Sequence, residues 1–158
     1  MHMTLRLVAV ALVSLAAAGC RSATAASPET TRAYVRLTPD MGSLSTLLPA
    51  ELKKAQAKKL KPFLELRAEW CKPCKQLEAS MGDQRMADAF AGTYLISVDI
   101  DEFSEQLARL GFDASAIPVF YELNPAAKAT GRKIDGGAWA ENIPQNMAPP
   151  LKAFFAVK

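Results

Sequence analysis

Glu69-Trp70-Cys71-Lys72-Pro73-Cys74-Lys75 is the stretch on which the reading of this chain turns. Cysteines separated by two residues can share one helical turn. They can then close a small disulfide ring, or let one thiolate attack while the other resolves the product. The thiolate is the reactive form, so whatever favours negative charge on the first sulfur sets its reactivity. A helix starting here would aim unpaired N–H groups and a partial positive charge at Cys71. Lys72 and Lys75 add positive charge, and Pro73 fits a first helical turn, where its missing N–H costs little. Two other readings of the pair are half a zinc site and a structural staple. Structural zinc needs four Cys or His ligands. The only other cysteine is Cys20 and the only histidine is His2, both far upstream. A staple usually closes a longer loop. Redox chemistry is the favoured reading.

Upstream, Arg6 precedes an uncharged apolar run from Leu7 to Ala18. The run is short for a bilayer span and has the positive, apolar, small-residue layout of a secretory signal. Ala17-Ala18-Gly19-Cys20 then resembles a bacterial lipoprotein signal, with residues 1–19 removed and Cys20 acylated as the new terminus. Ala17 stands where such signals usually carry leucine. The rival is ordinary cleavage near Ala23-Thr24-Ala25, which would leave a soluble periplasmic protein. Residues 20–30 are small and polar and read as a tether, and 31–158 as one domain. Removing the signal leaves about 140 residues, enough for one core. A net charge of +3 carries no basic footprint of a nucleic-acid binder. With Cys20 assigned to lipid, one cysteine pair remains for an oxidising compartment.

Within the domain, Tyr34–Leu37 alternates as a strand. Leu48, Leu52 and Ala55 share a helical face, with Lys53, Lys54, Lys58 and Lys59 on its solvated side, and Pro62 is expected to end that helix. Phe63–Ala68 reads as a strand running into Trp70-Cys71. Leu77 and Met81 continue an apolar stripe to Gly82, and Asp83 caps a second helical piece. Tyr94–Ile100 is apolar enough for a strand covered on both faces. Asp101 is expected to cap a short helix stopped by Gly111. Ile117-Pro118 leads a strand, Thr130–Ile134 returns antiparallel, Trp139–Asn146 reads as a loop, and Pro149-Pro150 opens the last helix.

At this point the chain resembles the thioredoxin-like family over about Thr31 to Lys158. The resemblance rests on Ala68-Glu69-Trp70-Cys71-Lys72-Pro73-Cys74, Ile117-Pro118 and Gly136-Gly137. It is similar to the periplasmic reducing branch, including the C-terminal domain of the thiol-disulfide interchange protein. The resemblance implies an α/β fold with a central mixed β-sheet flanked by helices. It also implies that Cys71 attacks, Cys74 resolves and Trp70 flanks the site. Pro118 would follow a cis peptide bond beside the disulfide, leaving the Ile117 backbone to pair with an extended substrate. Glu65 falls where the family carries a buried acid that moves protons for the resolving thiol. Two positions depart from the family: Ser97 replaces a buried lysine and Ala79 a helix-kinking proline.

These readings converge on an extracytoplasmic thiol-disulfide oxidoreductase that reduces protein disulfides through a mixed disulfide. It would need no metal, nucleotide or flavin. Expected partners are exported proteins with cysteines, such as cytochrome c apoproteins, and a membrane dithiol that donates electrons. A monomer is expected, lipid-anchored and periplasm-facing, with Arg21 after Cys20 favouring the outer membrane. The alternatives are a thiol oxidase or isomerase, and a non-enzymatic copper chaperone or assembly adaptor, since soft Cu(I) suits paired thiolates.

Overall fold

The computed structural model describes residues 31–156. The signal at 1–19, Cys20 and the tether at 20–30 lie outside them.

Five strands form one sheet: β1 (Ala33–Arg36), β2 (Lys61–Arg67), β3 (Thr93–Asp99), β4 (Val119–Leu123) and β5 (Ala129–Asp135). Their spatial order is β1-β3-β2-β4-β5. β1 and β2 flank β3 in parallel, β4 pairs antiparallel with β2, and β5 pairs antiparallel with β4. This is the mixed sheet flanked by helices that the sequence leads one to expect. The helices are α1 (Leu44–Ala57), α2 (Lys72–Ser80), α3 (Gln84–Ala89), α4 (Ser104–Leu110) and α5 (Pro144–Phe155).

Strand alternation sends successive side chains to opposite faces and so divides the core in two. Leu64, Leu66, Ile96 and Val98 pack with Leu44, Leu48 and Leu52 of α1 and Leu107 of α4. On the other face Phe63, Leu95 and Phe120 meet Leu77, Met86, Leu151 and Phe155 from α2, α3 and α5. Phe155 is the hub of the second cluster, with ring centroids 4.7 Å from both Phe63 and Phe90 and 5.6 Å from Phe120. β3 is buried along its whole length, as its near-continuous apolar sequence requires.

The face beneath α2 changes character along the strands. Phe63 is followed in β2 by Glu65 and Arg67 at alternate positions, and Leu95 in β3 by Ser97 and Asp99. The register sets Glu65 opposite Ser97 and Arg67 opposite Asp99. This face of β2 and β3 is therefore apolar at one end and polar at the end that carries the cysteines.

Three boundaries differ from the sequence reading. α1 ends at Ala57, where the chain turns through Lys59 at φ 56°, so Pro62 lies inside β2 and does not end a helix. Pro62 sits one residue into the strand, where a missing donor is tolerated. α5 opens at Pro144, not at Pro149-Pro150, which lie inside the helix. Pro144 takes the first helical position, and burial of Met147, Ala148 and Leu151 overrides the local cost of the two internal prolines. Finally, Phe103, not Asp101, stands at the N-terminus of α4, with no side-chain cap.

Candidate active site

β2 delivers the chain to the site. From buried Arg67 it runs through Ala68, Glu69 and Trp70 to Cys71, which caps α2. The two cysteines form a disulfide with an S–S distance of 2.04 Å and Cα atoms 5.3 Å apart. Cys71 Sγ accepts a hydrogen bond from the backbone N–H of Cys74 at 3.1 Å. That donor is one of the orphan N–H groups of the first turn, so it stabilises negative charge on Cys71 whenever the bond is opened. Lys72 and Lys75 lie on the same turn.

The pair does not stand proud of the surface. Cys71 is only 2% exposed in the closed disulfide, less than its place at a helix start leads one to expect. It forms part of the floor of a groove. Trp70, Lys72 and Pro73 make one side, Ala114–Ile117 a second, and Gly136, Gly137, Ala140 and Asn142 a third. Trp70 is 65% exposed, so it is not a core residue. Its indole N–H donates to Asp101 Oδ2 at 2.7 Å, which gives Asp101 a positioning task in place of the capping task expected of it.

The Ile117–Pro118 peptide bond is cis. The Ile117 carbonyl oxygen lies 3.8 Å from Cys71 Sγ, and Gly136 N–H donates to the Pro118 carbonyl at 3.1 Å. A Cβ on Gly136 would stand 3.7 Å from Pro118 Cδ, so the glycine turn packs directly on the proline. Cys71, Trp70, Ile117 and Pro118 are thus brought together, with Cys74 behind them.

Glu65 is 4% exposed on β2. It lines a separate cavity of about 250 Å³, with Arg67, Leu77, Glu78, Met81, Phe90 and Leu95 among its other walls. Burial pushes the Glu65 carboxyl above its ordinary range, and the negative charge of Glu78 adds to the rise. Ser97, Arg67 and Arg36 act in the opposite direction. The Ser97 hydroxyl itself is buried without a hydrogen bond of good geometry. Glu65 is therefore a buried acid with the proton affinity expected of one, beneath the helix that carries Cys74.

Arg67 escapes the sequence reading. Its signal is a basic residue at the alternate position after Glu65, between the apolar Leu66 and Ala68. It is 3% exposed and ion-pairs with Glu78 of α2 at 3.1 Å. Arg36 ties β1 to Glu69 at 2.6 Å, and this pairing holds the Glu69 carboxyl below its ordinary range. Asn142, also unforeseen, donates to Gln76 of α2 at 3.0 Å and accepts the Trp139 indole N–H at 2.8 Å. That fixes the third side of the groove to the active-site helix. Among the described residues, no three His, Cys, Asp or Glu side chains gather to hold a metal ion.

Comparison with known proteins bears on the fold. No family model matches the chain, and no curated protein does so by sequence. Solved structures do. The chain is similar to a disulphide isomerase from Xylella fastidiosa Temecula1, at 21% identity and a TM-score of 0.54, over 76% of this chain and 95% of that one. It also aligns with thioredoxin O1 from Arabidopsis thaliana in its oxidised state (21% identity, TM-score 0.44, 66% and 86% of the two chains). A further match is the oxidised thioredoxin from Plasmodium falciparum (15% identity, TM-score 0.47, 80% and 100% of the two chains).

Proposed function

We propose that this thioredoxin-fold domain is an extracytoplasmic thiol-disulfide oxidoreductase that reduces disulfides in exported proteins. The observation that carries the reading is the Cys71–Cys74 disulfide at the start of α2, floored into an open groove, with the Cys74 N–H on Cys71 Sγ. In the reduced enzyme the Cys71 thiolate attacks one sulfur of a substrate disulfide. A Cys71–substrate bond forms, and the substrate's own S–S bond breaks with its electron pair on the departing sulfur. Cys74 then loses its proton and attacks Cys71. The Cys71–Cys74 bond forms, the mixed disulfide breaks, and the second substrate sulfur leaves as thiolate. Two electrons have passed from the dithiol to the substrate. A membrane dithiol restores the reduced enzyme.

Each further residue has a task in this scheme. Glu65 accepts the Cys74 proton. Trp70 and the 114–117 segment border the substrate, and the Ile117 backbone offers edge hydrogen bonds to an extended chain. Lys72-Pro73 between the cysteines resembles reducing members of the family and supports the reductive direction. The lipid anchor at Cys20 would hold the domain at the periplasmic face of a membrane, the outer one by the choice of Arg21.

Turbidimetric reduction of insulin with dithiothreitol as electron donor tests the reading. The protein should accelerate B-chain precipitation, and Cys71→Ser should abolish the acceleration. The Xylella structure is described as a disulphide isomerase, so isomerisation is the second reading. Recovery of activity from scrambled ribonuclease without insulin reduction would favour it. Stoichiometric Cu(I) binding with neither activity would favour the copper-adaptor alternative.

A further inference from the structure

The two ends of the sheet differ in charge. β1, β2 and β3 run parallel, so Ala33, Lys61 and Thr93 mark one end and the cysteines follow the other. Lys53, Lys54, Lys58, Lys59 and Lys61, in the last turns of α1 and at the start of β2, are all exposed. β4 runs back antiparallel to the same end, so exposed Lys128, in the turn that follows it, joins them. Between residues 41 and 64 the one acid is Glu51. It is buried, and it accepts hydrogen bonds from Lys54 at 2.7 Å and from the Tyr94 hydroxyl at 2.6 Å. Lys53, Lys58, Lys59 and Lys61 have no ion-pair partner among the described residues. Other acids are engaged elsewhere: Glu122 pairs with Arg132 at 3.0 Å, and Asp88 shares a groove with Arg85 and Lys152. The cysteine end is mixed by contrast, with Lys72 and Lys75 beside the exposed acids Glu69, Asp101 and Glu102.

A helix C-terminus attracts positive charge, which accounts for lysines in the last turn of α1. It does not extend to Lys61 on β2 or to Lys128 in a distant turn. Lys59 says more. The Leu60 N–H donates to the Ala55 carbonyl at 2.9 Å and closes α1, with Lys59 before it in the left-handed region at φ 56°. Glycine is the usual occupant of that position, because a Cβ is disfavoured there. A lysine held against the backbone's preference points to a use for its charge.

The course of the chain points to the partner. The Lys61 N–H donates to the Gly92 carbonyl at 2.9 Å, and the Gly92 N–H donates to the Thr31 carbonyl at 3.0 Å. Residues 1–30, with the apolar run Leu7 to Ala18, therefore join the domain at its lysine-bearing end. A flexible tether of the length of residues 20–30 has a root-mean-square span of about 18 Å. An anchor at Cys20 would thus hold this end against a bilayer. The groove lies at the other end, since the six steps from Lys61 to Arg67 alone cover about 20 Å.

We propose that the end of the domain bearing Lys58, Lys59 and Lys61 is a docking surface for an anionic phospholipid bilayer. Docked there, the domain turns the Cys71–Cys74 groove away from the lipid and toward protein substrates. The inference goes beyond the oxidoreductase reading and uses none of its chemistry. The lysines act alongside a lipid anchor or without one, because their attraction to anionic headgroups is a separate contribution.

The test is co-sedimentation with vesicles, using the chain from residue 20 onward with Cys20→Ala, which keeps the whole described domain and cannot be acylated. It should bind vesicles of about one-third phosphatidylglycerol in phosphatidylcholine, and not phosphatidylcholine alone. Binding should fall at least about tenfold between about 50 and about 300 mM salt, as screening requires. Each lysine close to such a surface contributes roughly fivefold, so Lys59→Gly with Lys61→Gln should weaken binding about twenty-fivefold. The charge-matched pair Lys72→Gln with Lys75→Gln, at the cysteine end, should weaken it less than about twofold, being beyond the reach of the surface. Lys59→Gly alone should weaken binding about fivefold without lowering the melting temperature, which separates the charge from any part in the fold. Acrylamide should quench exposed Trp70 as readily on vesicles as in solution, because the groove faces away. Equal weakening by the two lysine pairs, binding indifferent to lipid charge or salt, or shielding of Trp70 by vesicles would overturn the proposal. Capture on polyglutamate with no vesicle binding would overturn it in favour of an acidic protein partner.

Discussion

The backbone N–H of Cys74 donates to the sulfur of Cys71 at 3.1 Å, so the first cysteine of the pair caps the helix that carries the second. The relationship is one-sided: Cys71 faces the groove and the Ile117 carbonyl, whereas Cys74 lies inside the first turn of α2.

That asymmetry predicts which sulfur reacts. In the reduced protein Cys71 should be alkylated by iodoacetamide at least about tenfold faster than Cys74, because reactivity follows thiolate character and access. Cys74→Ser should accumulate mixed disulfides with substrate proteins, resolvable on non-reducing gels, and Cys71→Ser should accumulate none. Equal labelling of both sulfurs would return the pair to a structural role.

The reduction potential should lie on the reducing side, nearer about −270 mV than about −120 mV on the scale of characterised dithiol oxidoreductases. Equilibration with glutathione or dithiothreitol, followed by trapping of free thiols, measures it. A value above roughly −150 mV on that scale would transfer the assignment to an oxidase.

Stability should depend on pH through Glu65. Its carboxyl is raised in the folded state by burial, so the native protein holds this proton more tightly than the unfolded chain. The resulting stabilisation is complete below the ordinary glutamate range and is lost as pH rises through the folded value. Glu65→Gln should therefore melt like wild type near pH 4 and at a higher temperature than wild type near pH 8. A constant difference across that range would contradict the assignment of the buried charge.

Phe155→Ala should destabilise the domain by about 3–5 kcal/mol, the range for truncating a buried aromatic. Phe155 touches Phe63, Phe90, Phe120 and Phe154, joining β2 and β4 to the last helix. Urea denaturation measures the loss, and a change below about 1 kcal/mol would mean that the cluster collapses around the gap.

Cys20→Ala tests the proposed anchor. The wild-type protein should partition with membranes and incorporate labelled fatty acid. The variant should become soluble or remain unprocessed, with insulin reduction at Cys71 unaffected. Identical processing and distribution of the two proteins would favour cleavage near Ala25.

Local chemistry makes much of this molecule legible in its sequence. Cys71 and Cys74 declare their shared turn by spacing, Tyr94–Ile100 declares a doubly covered strand by its apolar run, and Gly111 stops α4 in the left-handed region at φ 80°. What escapes depends on partners distant in sequence. Asp101 looks like a helix cap until the Trp70 indole, 31 residues away, claims its carboxylate. The start of α5 is hidden by three prolines, although Ile143, extended before Pro144, carries the boundary signal. Asn142 is tied to the active-site helix through Gln76, 66 residues upstream.

The position of β2 between β3 and β4 has a consequence for the timing of backbone motion. Both edges of this strand are occupied by ladder hydrogen bonds, so it has no free side from which to fray. Amide protons at Leu64 and Leu66 should exchange with deuterium only through global opening, whereas the edge strands β1 and β5 exchange through smaller, more frequent excursions. The sulfur pair is thus suspended from the slowest-exchanging part of the chain. Each redox cycle can loosen the first turn of α2 while the strand behind it keeps its protons for as long as the molecule remains folded.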